Sequence, residues 1–201
     1  MSRRLLLLAF LPLLAFAQTK PVIILLGPPG AGKSTQAEAL KKRLRVPVVS
    51  VSQVLEDHIG KKTSEGKSLR AAIESGQLMR ADMMNDMMER RLYESDTNGG
   101  FILDGYPRTQ SQAGFLDRTM LARGFPVPRV IVLEISDEQA MKRAEARNRA
   151  DDKAGLTPGR LAEYRQEETF LKGHYKATLV TVDATADAKA VEAAIQKALG
   201  Y

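Results

Sequence analysis

The chain has 201 residues, enough for one α/β domain with a buried core and small insertions. It contains no cysteine, which excludes a disulfide framework and any thiolate-held metal, and its two histidines, His58 and His174, match no metal-ligand spacing. The formal charge of +6 suits polyanionic ligands, but the basic residues are scattered among acids and aromatics make up only 5%, which points away from nucleic acid.

Arg3-Arg4 is followed by an apolar run from Leu5 to Phe16, broken only by Pro12, and by Ala15-Phe16-Ala17. A basic start, a short apolar stretch and a small-x-small ending describe a secretory signal peptide over residues 1–17, cleaved after Ala17. The run is too short to span a bilayer comfortably. Arg3-Arg4 is a poor match to a twin-arginine signal. The mature chain, 18–201, is expected outside the cytoplasm, with no stable membrane insertion; a mis-called start or an uncleaved anchor is the alternative.

Val22 to Leu26 is a short apolar, β-branched run and reads as a strand buried on both faces. Directly after it stands Gly27-Pro28-Pro29-Gly30-Ala31-Gly32-Lys33-Ser34-Thr35, leading into a helical stretch from Gln36 to Leu44. The spacing G-x-x-x-x-G-K-[ST] between a strand and a helix is that of a phosphate-binding loop. Its glycines let successive backbone N–H groups turn inward, and the following helix offers its positive end to the same anion. Gly30, Ala31, Gly32, Lys33, Ser34 and Thr35 are therefore candidates for binding a nucleoside triphosphate. Lys33 would reach the β- and γ-phosphates, and the Ser34 hydroxyl would ligate Mg²⁺.

Val46–Val51, Phe101–Leu103, Val130–Ile135 and Leu179–Val182 read as four further strands, with amphipathic helical stretches between them. The alternation predicts a five-stranded parallel sheet with helices on both faces. Ligands bind such sheets beyond the carboxyl ends of the strands, so the loops after Leu26, Val51 and Leu103 open onto one cleft. Residues 52–95 are long for one crossover and carry glycines at 60, 66 and 76, which predicts a small helical insertion. Met79, Met83 and Met87 recur every four residues within it, beside Met84 and Met88. Flexible core packing explains this recurrence best, with a lining of a substrate pocket as the sharper reading.

Phe101-Ile102-Leu103 ends in Asp104, then Gly105-Tyr106-Pro107-Arg108-Thr109. An aspartate at a strand tip beside a phosphate loop can hold the water shell of Mg²⁺, and Pro107 stiffens a turn that aims Arg108 into the cleft. Taken with Gly27–Thr35, this segment resembles the nucleoside monophosphate kinases, adenylate kinase most closely, over essentially the whole mature chain. D-G-[FY]-P-R-T is a signature there, and the resemblance makes Gln112, seven residues after Gly105, the reader of the acceptor base. Further on, Asp137 can cap a helix bearing Arg143 and Arg147 on one face. Arg149-Ala150-Asp151-Asp152 is followed by Arg160, eleven residues after Arg149, near a helix start marked by Thr157-Pro158.

The resemblance implies a P-loop fold with residues 52–95 as the acceptor-binding insertion and a short lid over 148–157, without zinc. It places Arg143 and Arg147 over the donor nucleotide, and Lys33, Arg108, Arg149 and Arg160 around the transferring phosphoryl group. The acceptor nucleotide would lie against Val51, Gln77, Leu78, Met79, Gly105, Tyr106, Pro107, Arg108, Gln112, Arg149 and Arg160. Mg²⁺ would accompany ATP, held by Ser34 and, through water, Asp104. Small nucleotides are the expected partners of a monomeric enzyme that turns ATP and AMP into two ADP, usually in the cytoplasm.

The acceptor side departs from the family's S-T-G-D-x-L-R, reading Ser50-Val51-Ser52-Gln53-Val54-Leu55-Glu56. A threonine of the AMP pocket becomes Val51, and an arginine that grips the AMP phosphate becomes Glu56. Lys61, Lys62, Arg70 or Arg80 would have to supply a substitute cation for that phosphate. A UMP/CMP kinase and an ATP-binding module with weak or no kinase activity are the alternatives these changes leave open.

Overall fold

The computed structural model describes residues 20–61, 66–67, 69–71, 81–147 and 157–201. The expected signal segment 1–17, Gln77, Leu78, Met79, Lys62, Arg80, Arg149 and most of the expected lid lie outside the described residues.

Five strands form one parallel sheet, β1 Val22–Leu26, β2 Val48–Ser50, β3 Phe101–Asp104, β4 Arg129–Glu134 and β5 Leu179–Asp183, in the order β2-β3-β1-β4-β5. The helices are α1 Lys33–Leu44, α2 Val51–Gly60, α3 Ala81–Leu92, α4 Gln110–Ala122, α5 Asp137–Arg147, α6 Thr157–His174 and α7 Ala188–Leu199. A 3₁₀ turn, Ser95–Gly99, precedes β3. The five expected strands are thus present. The second begins two residues later than expected and ends one earlier, because Val51 opens a helix rather than closing a strand.

Successive strand residues point to opposite faces, so the continuous apolar runs supply two cores. Val22, Ile24 and Leu26 pack with Phe101, Leu103, Val130 and Val132 on one face. Val54 of α2, Met84, Met87 and Met88 of α3, Leu116 of α4 and Leu171 of α6 cover that face. Ile23, Leu25, Ile102, Ile131 and Leu133 form the other core, covered by Ala37 and Leu40 of α1 and Val191, Ile195 and Leu199 of α7. The methionine recurrence is core packing at Met84, Met87 and Met88. Burying such a side chain stabilises the fold by roughly 1.5–3 kcal/mol. No helix among the described residues is long and apolar enough to cross a membrane.

The register aligns the strand ends that matter. Leu25 of β1 and Ser50 of β2 both pair with Asp104 of β3, so the phosphate loop, the start of α2 and the turn after β3 leave the sheet at one level.

Candidate active site

The phosphate loop is shaped by its glycines. Gly30 and Gly32 adopt φ of 83° and 92°, where side-chain-bearing residues are strained. Gly30 also touches α5 so closely that an added Cβ would stand 2.1 Å from the Ala140 carbonyl oxygen, whereas Gly32 has nothing within 4 Å. Lys33 Nζ donates to the carbonyls of Gly27 (2.7 Å) and Pro28 (2.8 Å), which ties the side chain to the loop that precedes it. Ala31 turns its side chain inward. Its methyl is buried in the core under the loop and its N–H donates to the Pro28 carbonyl at 3.2 Å, so it does not line the cleft.

One cleft is lined by Gly30, Gly32, Lys33, Ser34 and Thr35 from the loop, Asp104, Gly105, Pro107 and Arg108 from the turn after β3, and Arg147 and Arg160 from α5 and α6. These are the residues the sequence reading assigned to phosphate chemistry, apart from Ala31, Arg143 and the undescribed Arg149. Four cationic side chains face two carboxylates, Asp104 and Glu163, which suits a polyphosphate. Burial of the Lys33 ammonium lowers its pKa to about 7. Asp104 opposes that shift, while Arg108, Arg160 and Arg147 reinforce it. An anion among these groups would restore the charged form of Lys33.

Helix ends add to the field. The helices α4, α5 and α7 are capped by side chains, with Thr109 accepting from Gln112 N–H, Ser136 from Gln139 N–H and Asp187 from Lys189 and Ala190 N–H. No side chain caps α1 or α2, whose N-caps are Gly32 and Ser50. Both of those helices begin at the cleft wall, so two positive helix ends without a side-chain cap serve one cavity.

Several of the expected contact residues engage protein partners in this structure. Val51 is 5% exposed and belongs to the apolar core with Val54 and Tyr106, because the first turn of α2 rotates it inward; Ser50 and Ser52 line the cleft in its place. Tyr106 is 1% exposed and packs in the same core, its hydroxyl donating to Asn85 Oδ1 at 2.7 Å. Gln112 Oε1 accepts the Arg108 backbone N–H at 2.7 Å, so that acceptor holds the turn together. Arg143 lies outside the cleft lining. Its guanidinium donates to the carbonyls of Ala184 (2.6 Å), Thr185 (2.7 Å) and Ala186 (3.4 Å), fastening the segment after β5. Ser136, not Asp137, caps α5; Asp137 Oδ1 instead accepts from Arg165 Nε at 2.8 Å. Glu56 is exposed on α2, in a surface hollow with Asp57, His58, Lys61 and Arg90, outside the cleft.

Pro29, Glu163 and Tyr164 line the cleft without having been singled out in the sequence. Glu163 and Tyr164 had a signal, since they follow Arg160 by three and four positions on one helix and so share its face. Ser34 and Asp104 offer a hydroxyl and a carboxylate, the hard oxygen donors that Mg²⁺ takes, on the same wall as the phosphate loop.

The family model described as adenylate kinase matches residues 25–180. An adenylate kinase of Mycobacterium sp. (strain MCS) is 39% identical over 178 residues, 89% of this chain and 98% of its own length. Similar proteins of the same name from Rhizobium meliloti (strain 1021) and Corynebacterium diphtheriae are 38% and 37% identical, over 88% and 89% of this chain and 98% of theirs. With the phosphate loop, the turn after β3 and the arginines of α5 and α6 gathered at one cleft, and with this similarity along nearly its whole length, the chain belongs to the adenylate kinase family.

Proposed function

We propose that the protein transfers the γ-phosphoryl group of ATP to AMP, giving two ADP, in the cleft between the phosphate loop and the turn after β3. The observation that carries this reading is the convergence of Lys33, Arg108, Arg147 and Arg160 on one cavity beside Asp104. Two polyanionic substrates need that much positive charge, and the two uncapped helix starts supply more of it.

In this reading the loop backbone from Gly30 to Thr35 and Lys33 bind the donor phosphates, and Arg147 lies along them. Arg108 and Arg160, with Arg149 from the lid segment, surround the phosphoryl group in flight. Ser34 and, through water, Asp104 would hold Mg²⁺, which supplies charge neutralisation on the donor phosphates when bound. The protein needs no covalent intermediate, since in-line positioning and neutralisation of the equatorial oxygens account for phosphoryl transfer of this kind. The acceptor would enter beside Ser50, Ser52, Gly105 and Pro107, with Gln77, Leu78, Met79 and Gln112 toward its base.

Val51 was the reason to consider a UMP/CMP kinase, and Glu56 together with the expected export the reason to consider an ATP-binding module with weak or no kinase activity. A core valine says nothing about the base, and an exposed glutamate outside the cleft does not repel the acceptor phosphate strongly. A coupled assay with Mg·ATP and AMP, CMP, UMP, GMP or dTMP tests the proposal. AMP is expected to be the preferred acceptor; preference for a pyrimidine nucleotide, or no turnover with any of them, sinks it.

We also propose that residues 1–17 direct export and are removed after Ala17, leaving one kinase domain over 18–201. Their basic and apolar pattern supports this. N-terminal sequencing of protein from the native host is expected to begin at Gln18. A soluble cytoplasmic protein beginning at Met1 or Ser2 refutes it.

A further inference from the structure

Asn85 is a polar residue in an apolar place. It lies on α3 among Met84, Met87 and Met88 and is 8% exposed. A buried amide is costly unless its hydrogen bonds are made, and a leucine would fill that space without the requirement. Asn85 Oδ1 accepts the Tyr106 hydroxyl at 2.7 Å, a bond between two buried groups 21 positions apart. The Tyr106 hydroxyl also stands 3.4 Å from the Gln112 carbonyl oxygen. Burial, with Glu89 nearby, pushes the phenol above its usual range, so it remains a proton donor. Two residues on, Arg108 is held at both ends: its N–H donates to Gln112 Oε1 at 2.7 Å and its Nε to the Gly105 carbonyl at 2.8 Å. The Tyr106 hydroxyl thus ties the turn to the middle of α3, and Gln112 Oε1 and the Gly105 carbonyl tie Arg108 to the same turn at the cleft.

We propose that Asn85 is a positioning residue for phosphoryl transfer: through the Tyr106 hydroxyl it fixes the turn that carries Arg108 relative to α3. A phenylalanine at 106 packs as well but has no directional bond to α3, so the ring and the turn can slide by the fraction of an ångström that matters at a reacting centre. The hydroxyl makes the acceptor-side helix and the Arg108 turn one body. This rests on the phosphotransfer reading above.

The test uses Tyr106→Phe and Asn85→Leu, singly and together, and Tyr106→Phe in an Arg108→Ala background, all assayed with Mg·ATP and AMP. Wild-type turnover is the reference; its absence removes the proposed function itself and is distinct from any result on the variants. Tyr106→Phe is expected to lower kcat about tenfold with the KM for ATP unchanged. The double variant, having lost both buried polar partners, is expected to melt closer to wild type than either single variant while keeping the reduced kcat. In the Arg108→Ala background, Tyr106→Phe is expected to change kcat by less than about twofold, because its effect runs through Arg108. Tyr106→Phe is conservative enough to decide the matter if Asn85→Leu does not fold. Wild-type kcat in Tyr106→Phe, or the same fold-loss with and without Arg108, would overturn the proposal and leave the pair as packing.

Discussion

The two walls of the cleft are built in different ways. On the donor wall, residues 27–35 carry their own geometry: positive φ at Gly30 and Gly32, a lysine bonded to carbonyls five and six residues back, and an uncapped helix start. On the facing wall, the turn from Asp104 to Gln112 takes its shape from residues brought in from elsewhere. Tyr106 anchors to Asn85 on α3, and Gln110 N–H donates to Glu167 of α6 at 3.3 Å. A local device is readable as a motif and tolerates change around it. An assembled one depends on distant packing, and its individual residues are harder to assign.

The largest expected effect tests the donor wall. Lys33→Met should lower turnover by about 10³-fold, the upper end of what a lost electrostatic stabiliser costs, with an unchanged circular dichroism spectrum. Activity within tenfold of wild type in a folded variant would remove Lys33 from the chemistry. Next, Gly30→Ala should destabilise the protein by about 3 kcal/mol or more, since the methyl collides with the Ala140 backbone as well as straining φ. Gly32→Ala meets only strain, on the order of 1–2 kcal/mol. Urea denaturation of the pair decides whether packing against α5 or backbone curl dominates; equal losses would show that packing contributes nothing.

On the opposite side, Arg108→Ala and Arg160→Ala should each reduce kcat about 10²-fold. The double variant should lose less than the product of the singles, because both act on one charge. Multiplicative losses would mean separate sites.

A pH experiment reads the charge shared by the two walls. The folded-state pKa of Lys33 is lowered to about 7, below its value in the unfolded chain. Between pH 7 and 10.5 the unfolded chain therefore binds more protons at this residue, and the stability associated with Lys33 rises with pH through that window. Below pH 7 the cost of burying the cation is fully present. The stability advantage of Lys33→Met over wild type should thus shrink by about 2–3 kcal/mol from pH 6 to pH 9, at 1.36 kcal/mol per unit. A pH-independent gap would indicate that the ammonium is well solvated. The smallest effect is expected at Glu56, whose exposed carboxylate lies outside the cleft. Glu56→Ala should change the KM for AMP by less than about threefold, the range of a screened surface charge. A larger drop would place α2 against the acceptor phosphate during turnover.

The features that could be read from the chain alone are those encoded within a few consecutive residues. The strand runs, the glycine spacing of 27–35, Asp104 at a strand end and Arg160 in a first helical turn all depend on local geometry, so their positions carried over directly. What required the folded molecule was the direction in which neighbouring side chains point. At the junction of β2 and α2 the change from a two-residue to a 3.6-residue period sends Val51 into the core and leaves Ser50 and Ser52 at the cleft. Likewise, Tyr106 and Gln112 sit inside a signature that suggests ligand contact, yet the Tyr106 hydroxyl and Gln112 Oε1 are satisfied by protein partners. Arg143 shares a helix face with Arg147, but the carbonyls after β5 lie within its reach and hold it away from the cleft lining. A buried donor or acceptor takes whatever partner the tertiary packing brings within about 3 Å, and no local sequence pattern specifies that partner.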